Sequence, residues 1–307
     1  MDVRKLEGKK VLFVPSEDRE VRPIQGWDII SLDNPVVISE KGERGSIAAI
    51  DSSVVHIAET DDGSVYGAKA ALVVYDRGER EIHRVGPFLL YLNEGNAREI
   101  ASCFNSKVHP MLLLLDRQAA MKSMRLIMER SLASFAISYF KSKFILLDGS
   151  LRLSVFEPKW ASLDILLSES KDATLVGISK ASRIKLVNRL ASSISKVDLP
   201  CYIEITKLIK SLIRPSLGRS YLVKLDRGGL VFRIDLPSHV DPSKAFPSLR
   251  NSDILNNGYP ESLKIAHLVS IFTQAEIAGV KGIIASKARD VLMTEDIRRL
   301  VLGSLKL

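Results

Sequence analysis

The feature that most constrains the fold of this sequence is the stretch of residues 46–76. A short apolar run, residues 47–50, ends in the carboxylate of Asp51, and a turn signal at 61–64 (DDGS) precedes a β-prone run over 65–75. The pattern predicts a buried strand, a hairpin and a second strand. An Asp that ends an apolar strand is costly unless a partner such as a metal ion neutralises it. On its own, this stretch favours an Asp that caps a turn through its own backbone.

A second stretch, residues 143–153 (KFILLDGSLRL), repeats the pattern. An apolar run ends in Asp148, and the small residues Gly149 and Ser150 follow it. Two strand-end acids of this kind predict two ligands that converge at one edge of a sheet, where small residues let a bulky polyanion approach the backbone. Each motif is weak alone, but together they predict a metal-dependent site that acts on phosphates.

The composition narrows the class of protein. The chain has 307 residues and 46% hydrophobic residues, which is enough for a sizeable core in one large domain or two small ones. Its net charge of +8 favours an acidic partner, of which nucleic acid is the commonest, although basic proteins without such a partner are not rare. The two cysteines, Cys103 and Cys201, are far apart, which argues against a disulfide framework and a cysteine zinc site.

The sequence also bears on localisation. Its first residues, MDVRKLEGKKVLFVP, lack the apolar stretch of a signal peptide. It contains no uninterrupted run of roughly 18 apolar residues, so we expect no transmembrane helix. The expectation is a cytoplasmic protein with no membrane partner.

The order of the predicted elements indicates an α/β fold. Residues 46–92 are predicted to form three antiparallel strands, 96–105 and 111–141 to form helices, and 144–148 to form a returning strand. A helix between an antiparallel unit and a returning strand is a crossover connection. The pattern is that of an RNase H-like core, in which a mixed sheet has three antiparallel strands and then strands reached through helix crossovers, with helical additions.

The remainder of the chain is predicted more coarsely. Prolines break residues 1–40 into short pieces, which we expect to form an irregular N-terminal wrap, with residues 41–307 as the main domain. Beyond the core, the predicted elements are a helix at 160–170, a strand at 174–179, helices at 184–195 and 202–213, a hairpin of 221–225 and 229–236, a loop at 238–256, a helix from Pro260 to about 278, and a basic amphipathic helix at 285–307.

A third acid lies on the long predicted helix. Glu129 is spaced three residues before Leu132 and seven before Ala136, which turns it toward the apolar face of that helix. The alternative is an ordinary exposed Glu that pairs with Arg125, four residues earlier. In an RNase H-like core, acids on the first strand, the helix and the fourth strand collect at one edge of the sheet.

Two further positions are ambiguous from sequence. The strand at 174–179 ends at Lys180 and is followed by Arg183, where a scissile phosphate could be approached. A solvated basic start to the next helix is an equally good explanation. His267 lies within the helix that begins near Pro260, and a lone helical histidine is more often structural than catalytic.

These motifs together resemble the archaeal and bacterial NurA nucleases. The resemblance covers residues 46–278 and rests on five motifs in order, none of them decisive alone. They are Asp51-Ser52-Ser53, Glu129, Asp148-Gly149-Ser150-Leu151, Ile178-Ser179-Lys180, and Gly258-Tyr259-Pro260 with His267. The resemblance implies an RNase H-like, manganese-dependent nuclease that digests single-stranded DNA from the 5′ end and also cuts internally. It further implies a homodimer that docks on a hexameric HerA-type ATPase and processes DNA ends, single- and double-stranded, for recombinational repair.

The resemblance also implies roles for individual residues. Asp51, Glu129 and Asp148 would be the metal-binding acids, and Tyr259 and His267 would complete the site. Two positions depart from the family pattern. Ser52 stands where the family usually has Gly, which should matter little because Ser is also small. Glu261-Ser262 replaces a further aromatic residue and Pro, which could alter how the Tyr259 loop meets DNA.

The chemistry of phosphodiester cleavage agrees with these roles. It needs an activated water and stabilised phosphorus and leaving oxygens, which hard divalent cations provide, ideally as a pair about 3.5–4 Å apart. We expect Mn²⁺, or Mg²⁺, in two sites that share Asp51. His267 is either a direct ligand, which would favour manganese, or a proton relay. Lys180 would neutralise the scissile phosphate, and Tyr259 would stack on a base or position the phosphate.

Two other functions remain open from sequence. A non-catalytic DNA-binding or assembly subunit of the same fold would have a similar composition, although three separated acids argue for an enzyme. An RNase H-like RNA nuclease would share the metal chemistry and differ only in its substrate.

Overall fold

In a computed structural model, the described residues are 3–6, 9–15, 27–32, 34–60, 62–170, 172–180, 185–212 and 217–287. The strands are β1 (Val3–Leu6), β2 (Lys9–Pro15), β3 (Trp27–Leu32), β4 (Val36–Val37), β5 (Ile47–Glu59), β6 (Gly63–Asp76), β7 (Glu79–Asn93), β8 (Phe144–Asp148), β9 (Thr174–Ser179), β10 (Cys201–Glu204), β11 (Arg219–Lys224), β12 (Val231–Leu236), β13 (Leu255–Asn256) and β14 (Tyr259–Pro260). The helices are α1 (Glu94–Ser102), α2 (Pro110–Leu115), α3 (Arg117–Phe135), α4 (Leu163–Glu169), α5 (Lys185–Ser195), α6 (Thr206–Leu212), α7 (Pro242–Ser252), α8 (Glu261–Ser270) and α9 (Gln274–Lys287), and a π-helical turn (Ala136–Phe140) follows α3.

A nine-stranded sheet forms the centre of the molecule, in the order β4-β10-β11-β12-β9-β8-β5-β6-β7. β5, β6 and β7 are successive antiparallel strands, and β8 and β9 join beside β5 in parallel. The predicted RNase H-like plan is therefore confirmed, since three antiparallel strands are followed by parallel strands reached through helices. The strands from β12 to β4 extend the sheet by antiparallel pairing.

The central strands are buried on both faces, because helices cover both. Ile47 and Ala49 pack in one core with residues of α7 and α8, whereas Ala48 and Ile50 pack in a second core with residues of α3 and α4. Successive side chains of a strand point to opposite faces. Residue 51 thus faces the α8 side of the sheet, and the residue after it faces the α3 side.

Two predictions downstream of the core were wrong. The predicted helix at 202–213 begins as a strand, β10, because Cys201 and Tyr202 extend the sheet between β4 and β11, and only then does α6 follow. The predicted loop at 238–256 contains α7, which begins at Pro242 after the Asp241 cap and includes Pro247. Phe246 and Leu249 of this helix are buried in the core, and their burial outweighs the cost of an internal proline.

Two predicted long helices are each divided. Asp116 separates α2 from α3 and caps α3 by accepting hydrogen bonds from the amides of Gln118 and Ala119. The helix predicted from Pro260 to about 278 is split at residues 271–273 into α8 and α9. By length and composition, Glu261–Ile284 meets the criterion for a membrane-spanning helix, which the sequence pattern had not predicted. Leu263 of α8 is buried in the core, although only 17% of the segment is buried.

The N-terminal segment and the end of the chain were also predicted from the sequence. The N-terminal segment, expected to be irregular, contains a separate three-stranded sheet of β1, β2 and β3, while β4 joins the main sheet. The domain boundary at residue 40 stays a prediction. Residues 288–307 of the predicted final helix lie outside the described residues.

Candidate metal centre

Two acids and one histidine converge on the α8 side of the sheet. β5 and β8 pair in parallel with Ile50 opposite Leu147, so Asp51 and Asp148 are the next residues along adjacent strands. Each of Asp51, Asp148 and His267 offers a ligand atom, and these atoms all lie within 4.8 Å of one another. The three predicted ligands that lie on β5, β8 and α8 thus meet at one point.

Asp51 is held rigidly. It is 2% exposed, and its Oδ1 accepts a hydrogen bond of 2.8 Å from the amide of Ser52. Its Oδ2 lies 2.6 Å from Nδ1 of His267 and 3.5 Å from the hydroxyl of Ser270, one turn further along α8. A buried carboxylate is stable only when it is paired, and here α8 provides the partners. The predicted turn-capping role alone does not account for these contacts.

The helix that carries His267 is anchored by a residue outside it. Pro260 precedes α8 and provides no side-chain cap. Asp253 takes this role by accepting hydrogen bonds from the amide of Ser262 at 3.2 Å and from its hydroxyl at 3.1 Å. Burial raises the pKa of Asp253 to about 6, even though these hydrogen bonds act in the opposite direction.

Asp148 lies at the end of β8, where the chain turns sharply. Its Oδ2 is 2.8 Å from the ammonium of Lys180 at the end of β9. Gly149 has a φ of +128°, which other residues rarely adopt. The amide of Leu151 then donates to Asp235, which is fully buried and also accepts hydrogen bonds from Arg233. The turn that presents Asp148 is thereby fixed to β12.

Tyr259 lies beneath this edge with its hydroxyl unsatisfied. The side chain is buried in the α8 core, and the ammonium of Lys180 lies 5.4 Å from its ring centroid. Its hydroxyl is buried and has no hydrogen-bond partner among the described residues. Burial, followed by the charges of Asp148 and Asp51, raises the pKa of Tyr259 well above its usual value. The phenol therefore stays protonated and is available as a hydrogen-bond donor.

Glu129 occupies the other side of β5. It is not part of the three-residue group, but its Oε1 accepts a hydrogen bond of 2.7 Å from the hydroxyl of Ser52. The same oxygen is 3.2 Å from Arg125, so the ion pair that was the alternative interpretation of Glu129 is present as well. Burial raises the pKa of Glu129, and the charge of Arg125 and the Ser52 hydrogen bond only partly oppose this.

A cleft lies beside the site, and neither Asp51 nor His267 is among its lining residues. It has a volume of about 860 Å³ and lies between α3 and the segment after β8, with both Glu129 and Asp148 in its wall. Arg130 and Glu157, which are also lining residues, form a buried bidentate pair at 3.0 and 3.2 Å. Glu157 also accepts from the amides of residues 154 and 163, so the pair fixes the outer wall of the cleft to α3.

Sequence reasoning missed several of the supporting residues. No sequence motif marked Asp235, Asp253 or Ser270. Each contacts a residue that is distant in the sequence, and Ser270 does so through a single hydroxyl. Ser52 was noted only as a small residue in place of Gly, whereas the structure gives it a contact with Glu129. Arg183, predicted to bind phosphate, lies outside the described residues.

The three converging residues fit a divalent metal ion. Two carboxylates and an imidazole provide hard oxygen ligands and a borderline nitrogen ligand, the set that suits Mn²⁺ and leaves Mg²⁺ acceptable. Among the described residues, Lys180 pairs with Asp148, and the His267 ring is hydrogen-bonded to Asp51. The unsatisfied hydroxyl of Tyr259 nearby is consistent with a further ligand at the same edge.

Comparison with known proteins gives one family. The NurA domain family matches residues 45–269, which is more than half of the chain. The NurA nuclease from Sulfolobus solfataricus is 18% identical with a TM-score of 0.54, over 84% of this chain and 88% of that one. NurA with manganese is 12% identical (TM-score 0.46, 82% and 91% covered), and NurA bound to dAMP and manganese is 13% identical (TM-score 0.44, 79% and 88% covered). No curated protein matches the chain at a significant level.

Proposed function

Because the chain belongs to the NurA family of nucleases, we propose that it hydrolyses DNA phosphodiesters with Mn²⁺, acting as a 5′–3′ exonuclease on single strands and as an endonuclease. The observation that carries this proposal is the group of Asp51, Asp148 and His267, whose ligand atoms lie within 4.8 Å of one another. Asp148 ends β8, whereas Asp51, predicted at the end of its strand, lies within β5, which continues to Glu59. A group of this composition on two adjacent strands is suited to a divalent cation.

We assign the first metal position to this group, with Asp51 shared between it and a second position that Glu129 would complete from the α3 side. A cation bound there would supply positive charge to the scissile phosphate and make the attacking water easier to ionise. The sharing of Asp51 is supported by its proximity to Glu129, because the pKa of Glu129 is raised by burial first and by the charge of Asp51 as well. The role of Glu129 as a ligand is supported by its place in the wall of the same cleft as Asp148.

The neighbouring residues have roles that follow from their charge state. Lys180, whose ammonium is already at the sheet edge, would contact a non-bridging oxygen of the scissile phosphate. Tyr259 would donate its free hydroxyl to the phosphate and cannot act as a base, because its pKa is raised. His267 either binds the metal or moves a proton, and its Nδ1 contact with Asp51 orients the ring for both.

We further propose that the protein acts as a homodimer on a hexameric HerA-type ATPase and processes DNA ends for recombinational repair. Family membership supports this proposal. The experiment is light scattering of the isolated protein and co-elution with the ATPase. A stable monomer that does not co-elute would reject both parts.

The direct test of the enzymatic proposal is cleavage of end-labelled DNA. We expect cleavage of single strands with Mn²⁺, weaker cleavage with Mg²⁺ and none with a chelator. Parallel digestion of RNA of the same sequence addresses the RNase H-like alternative. Tight DNA binding without cleavage in any metal would favour the non-catalytic subunit.

A further inference from the structure

The turn that follows β8 is hydrogen-bonded to three later parts of the chain. The amide of Gly149 donates to the carbonyl oxygen of Ile178 on β9 at 2.8 Å. The amide of Leu151 donates to Oδ2 of Asp235 on β12 at 3.0 Å, and its carbonyl oxygen accepts from the amide of Leu217 at 3.1 Å. The backbone directly after the metal-binding acid of β8 is thus fixed by residues distant in the sequence.

One row of paired residues across β8, β9 and β12 brings an acid close to this turn. Leu147 is opposite Gly177, and Gly177 is opposite Asp235. Ile234 and Leu236 pack in the core on the α8 side, so Asp235 between them faces the α3 side. Residues paired directly across neighbouring strands share a face, so Gly177 leaves an open position on the α3 side beside Asp235.

The turn occupies the space that Gly177 leaves. A Cβ at residue 177 would lie 2.7 Å from the carbonyl oxygen of Gly149 and 2.9 Å from the amide nitrogen of Leu151. These are backbone atoms, so a side chain at residue 177 would displace the turn. Asp235 therefore reaches the amide of Leu151 across β9 at the one residue of that strand where the turn packs directly on the backbone.

A buried arginine fixes the orientation of Asp235. Nε of Arg233 donates to Oδ1 and its Nη2 donates to Oδ2, each at 2.9 Å, and Nη2 is also 3.3 Å from the hydroxyl of Ser220. This bidentate pair neutralises a carboxylate that is fully buried. Oδ2 accepts from Leu151 in addition, so the acid does more than balance the charge of Arg233.

We propose that Asp235 and Gly177 are positioning residues for the metal centre, because they fix the 149–151 turn and, through it, the carboxylate of Asp148. The inference rests on the proposed metal site and extends it to two residues that do not contact the metal. A ligand on a backbone that can shift is less preorganised and binds the cation more weakly. The expected signature is a loss of Mn²⁺ affinity, with kcat retained once Mn²⁺ is saturating.

The first test measures Mn²⁺ binding to the full chain from the electron paramagnetic resonance signal of the unbound ion. Gly177→Ala should weaken binding about tenfold and raise the Mn²⁺ concentration for half-maximal cleavage by the same factor. Its kcat in saturating Mn²⁺ should stay within about twofold of the wild type. The matched control is Ile209→Ala, which opens a cavity in the separate core that α5, α6 and β10 share. It should lower the melting temperature and leave Mn²⁺ affinity unchanged.

Two double variants separate the Leu151 contact from the buried ion pair. Arg233→Met with Asp235→Leu replaces the pair by apolar side chains, which largely preserves stability but leaves the amide of Leu151 without its acceptor. It should weaken Mn²⁺ binding as Gly177→Ala does. Arg233→Met with Asp235→Asn keeps an acceptor oxygen and should restore binding to within about threefold of the wild type. In the metal-free protein, hydrogen exchange at residue 151 should be faster in the first variant than in the second.

The double variants decide the question if Gly177→Ala does not fold. Wild-type Mn²⁺ affinity in the Asp235→Leu double variant would overturn the proposal, as would equal weakening in both double variants or an equal loss in Ile209→Ala. Failure of the proposed metal centre is distinguishable from these results. The wild type itself would then bind no Mn²⁺, which overturns the inference as well, while hydrogen exchange at residue 151 would still differ between the double variants.

Discussion

The two sides of β5 hold their acids in different ways. On the α8 side, Asp51 and Asp148 come from adjacent strands in fixed register, and His267 is hydrogen-bonded to Asp51. On the α3 side, Glu129 comes from a helix and is linked to the strand by one hydroxyl, that of Ser52. Strand register sets the backbone positions of Asp51 and Asp148, whereas the two helical residues, His267 and Glu129, depend on the contacts that orient them. We therefore expect the α8 side to determine whether a metal binds, and the α3 side to tune how the bound metal is used.

The largest effect should come from the strand-borne acids. Asp51→Asn and Asp148→Asn should each reduce cleavage on the order of a thousandfold, because each loses a charge that holds the cation. Single-turnover cleavage in Mn²⁺ measures this, and the melting temperature serves as the control for folding. If either variant retains near-normal turnover, that residue is not a ligand.

His267 tests whether α8 contributes chemistry or only packing. His267→Gln should reduce activity roughly a hundredfold with little change in melting temperature, because nearly half of the side chain is exposed. Partial recovery in excess Mn²⁺ would favour the ligand role, and no recovery would favour the proton relay. A variant that stays active but melts several degrees lower would make His267 structural.

Glu129 provides the most direct test of whether the two sides of β5 differ in their effect on activity. Glu129→Gln should reduce cleavage about 10- to 100-fold, less than the strand acids, and raise the Mn²⁺ concentration needed for half-maximal rate. The measurement is a Mn²⁺ titration of the rate alongside Asp51→Asn. A loss as complete as that of Asp51→Asn would show that the two sides are equivalent.

Ser52→Gly sharpens the same comparison by introducing the residue that the family usually has. Without the hydroxyl, Glu129 loses a hydrogen bond that favours its ionised form, so its pKa should rise further. We expect a loss of no more than about tenfold and an acidic limb of the pH–rate profile shifted to higher pH. An unchanged profile would mean that Ser52 does not orient Glu129. Ser53→Gly, at the next position of β5, is the matched control.

The smallest effect on activity concerns Asp253, which anchors α8. Its pKa rises from 3.8 to about 6 on folding, so the folded state binds this proton more tightly than the unfolded chain does. Its contribution to stability is full below pH about 4 and is lost as the pH rises through 6, by roughly 2–3 kcal/mol. Asp253→Asn should remove this part of the pH dependence and leave kcat unchanged. The measurement is the free energy of unfolding in urea for both proteins at several pH values. If this free energy changes with pH in the same way in both proteins, Asp253 does not contribute the expected pH dependence.

The parts of the fold that were predictable share a physical cause. β6, β7 and β8 have long apolar or alternating runs bounded by clear turn signals, so these strands and the acid at the end of β8 could be inferred. The end of β5 was predicted wrongly, because the strand continues past Asp51 to Glu59 by pairing with β6. β10 has only four residues, and its apolar run suits a helix equally well. α7 contains Pro247, which by local rules argues against a helix, and only burial against the sheet overrides it.

The site was predictable only in part for a related reason. Which residues carry charge could be seen, but the face that each one occupies depends on register and packing. Sequence spacing placed Glu129 together with the two aspartates, and only the structure shows it on the opposite side of β5 from His267. The dependence of α8 on Asp253 could not be inferred from the sequence either. Asp253 lies nine residues before Ser262, whose amide donates a hydrogen bond to it.

The central claim is that Asp51, Asp148 and His267 together bind the catalytic divalent metal. Its most direct test is an anomalous-scattering map of crystals grown with Mn²⁺, collected at the manganese absorption edge. The account predicts a peak bonded to carboxylate oxygens of Asp51 and Asp148, with His267 in contact with it directly or through a bound water. A fully occupied manganese site elsewhere in an active crystal form, with no manganese bonded to any of these three side chains, would contradict it.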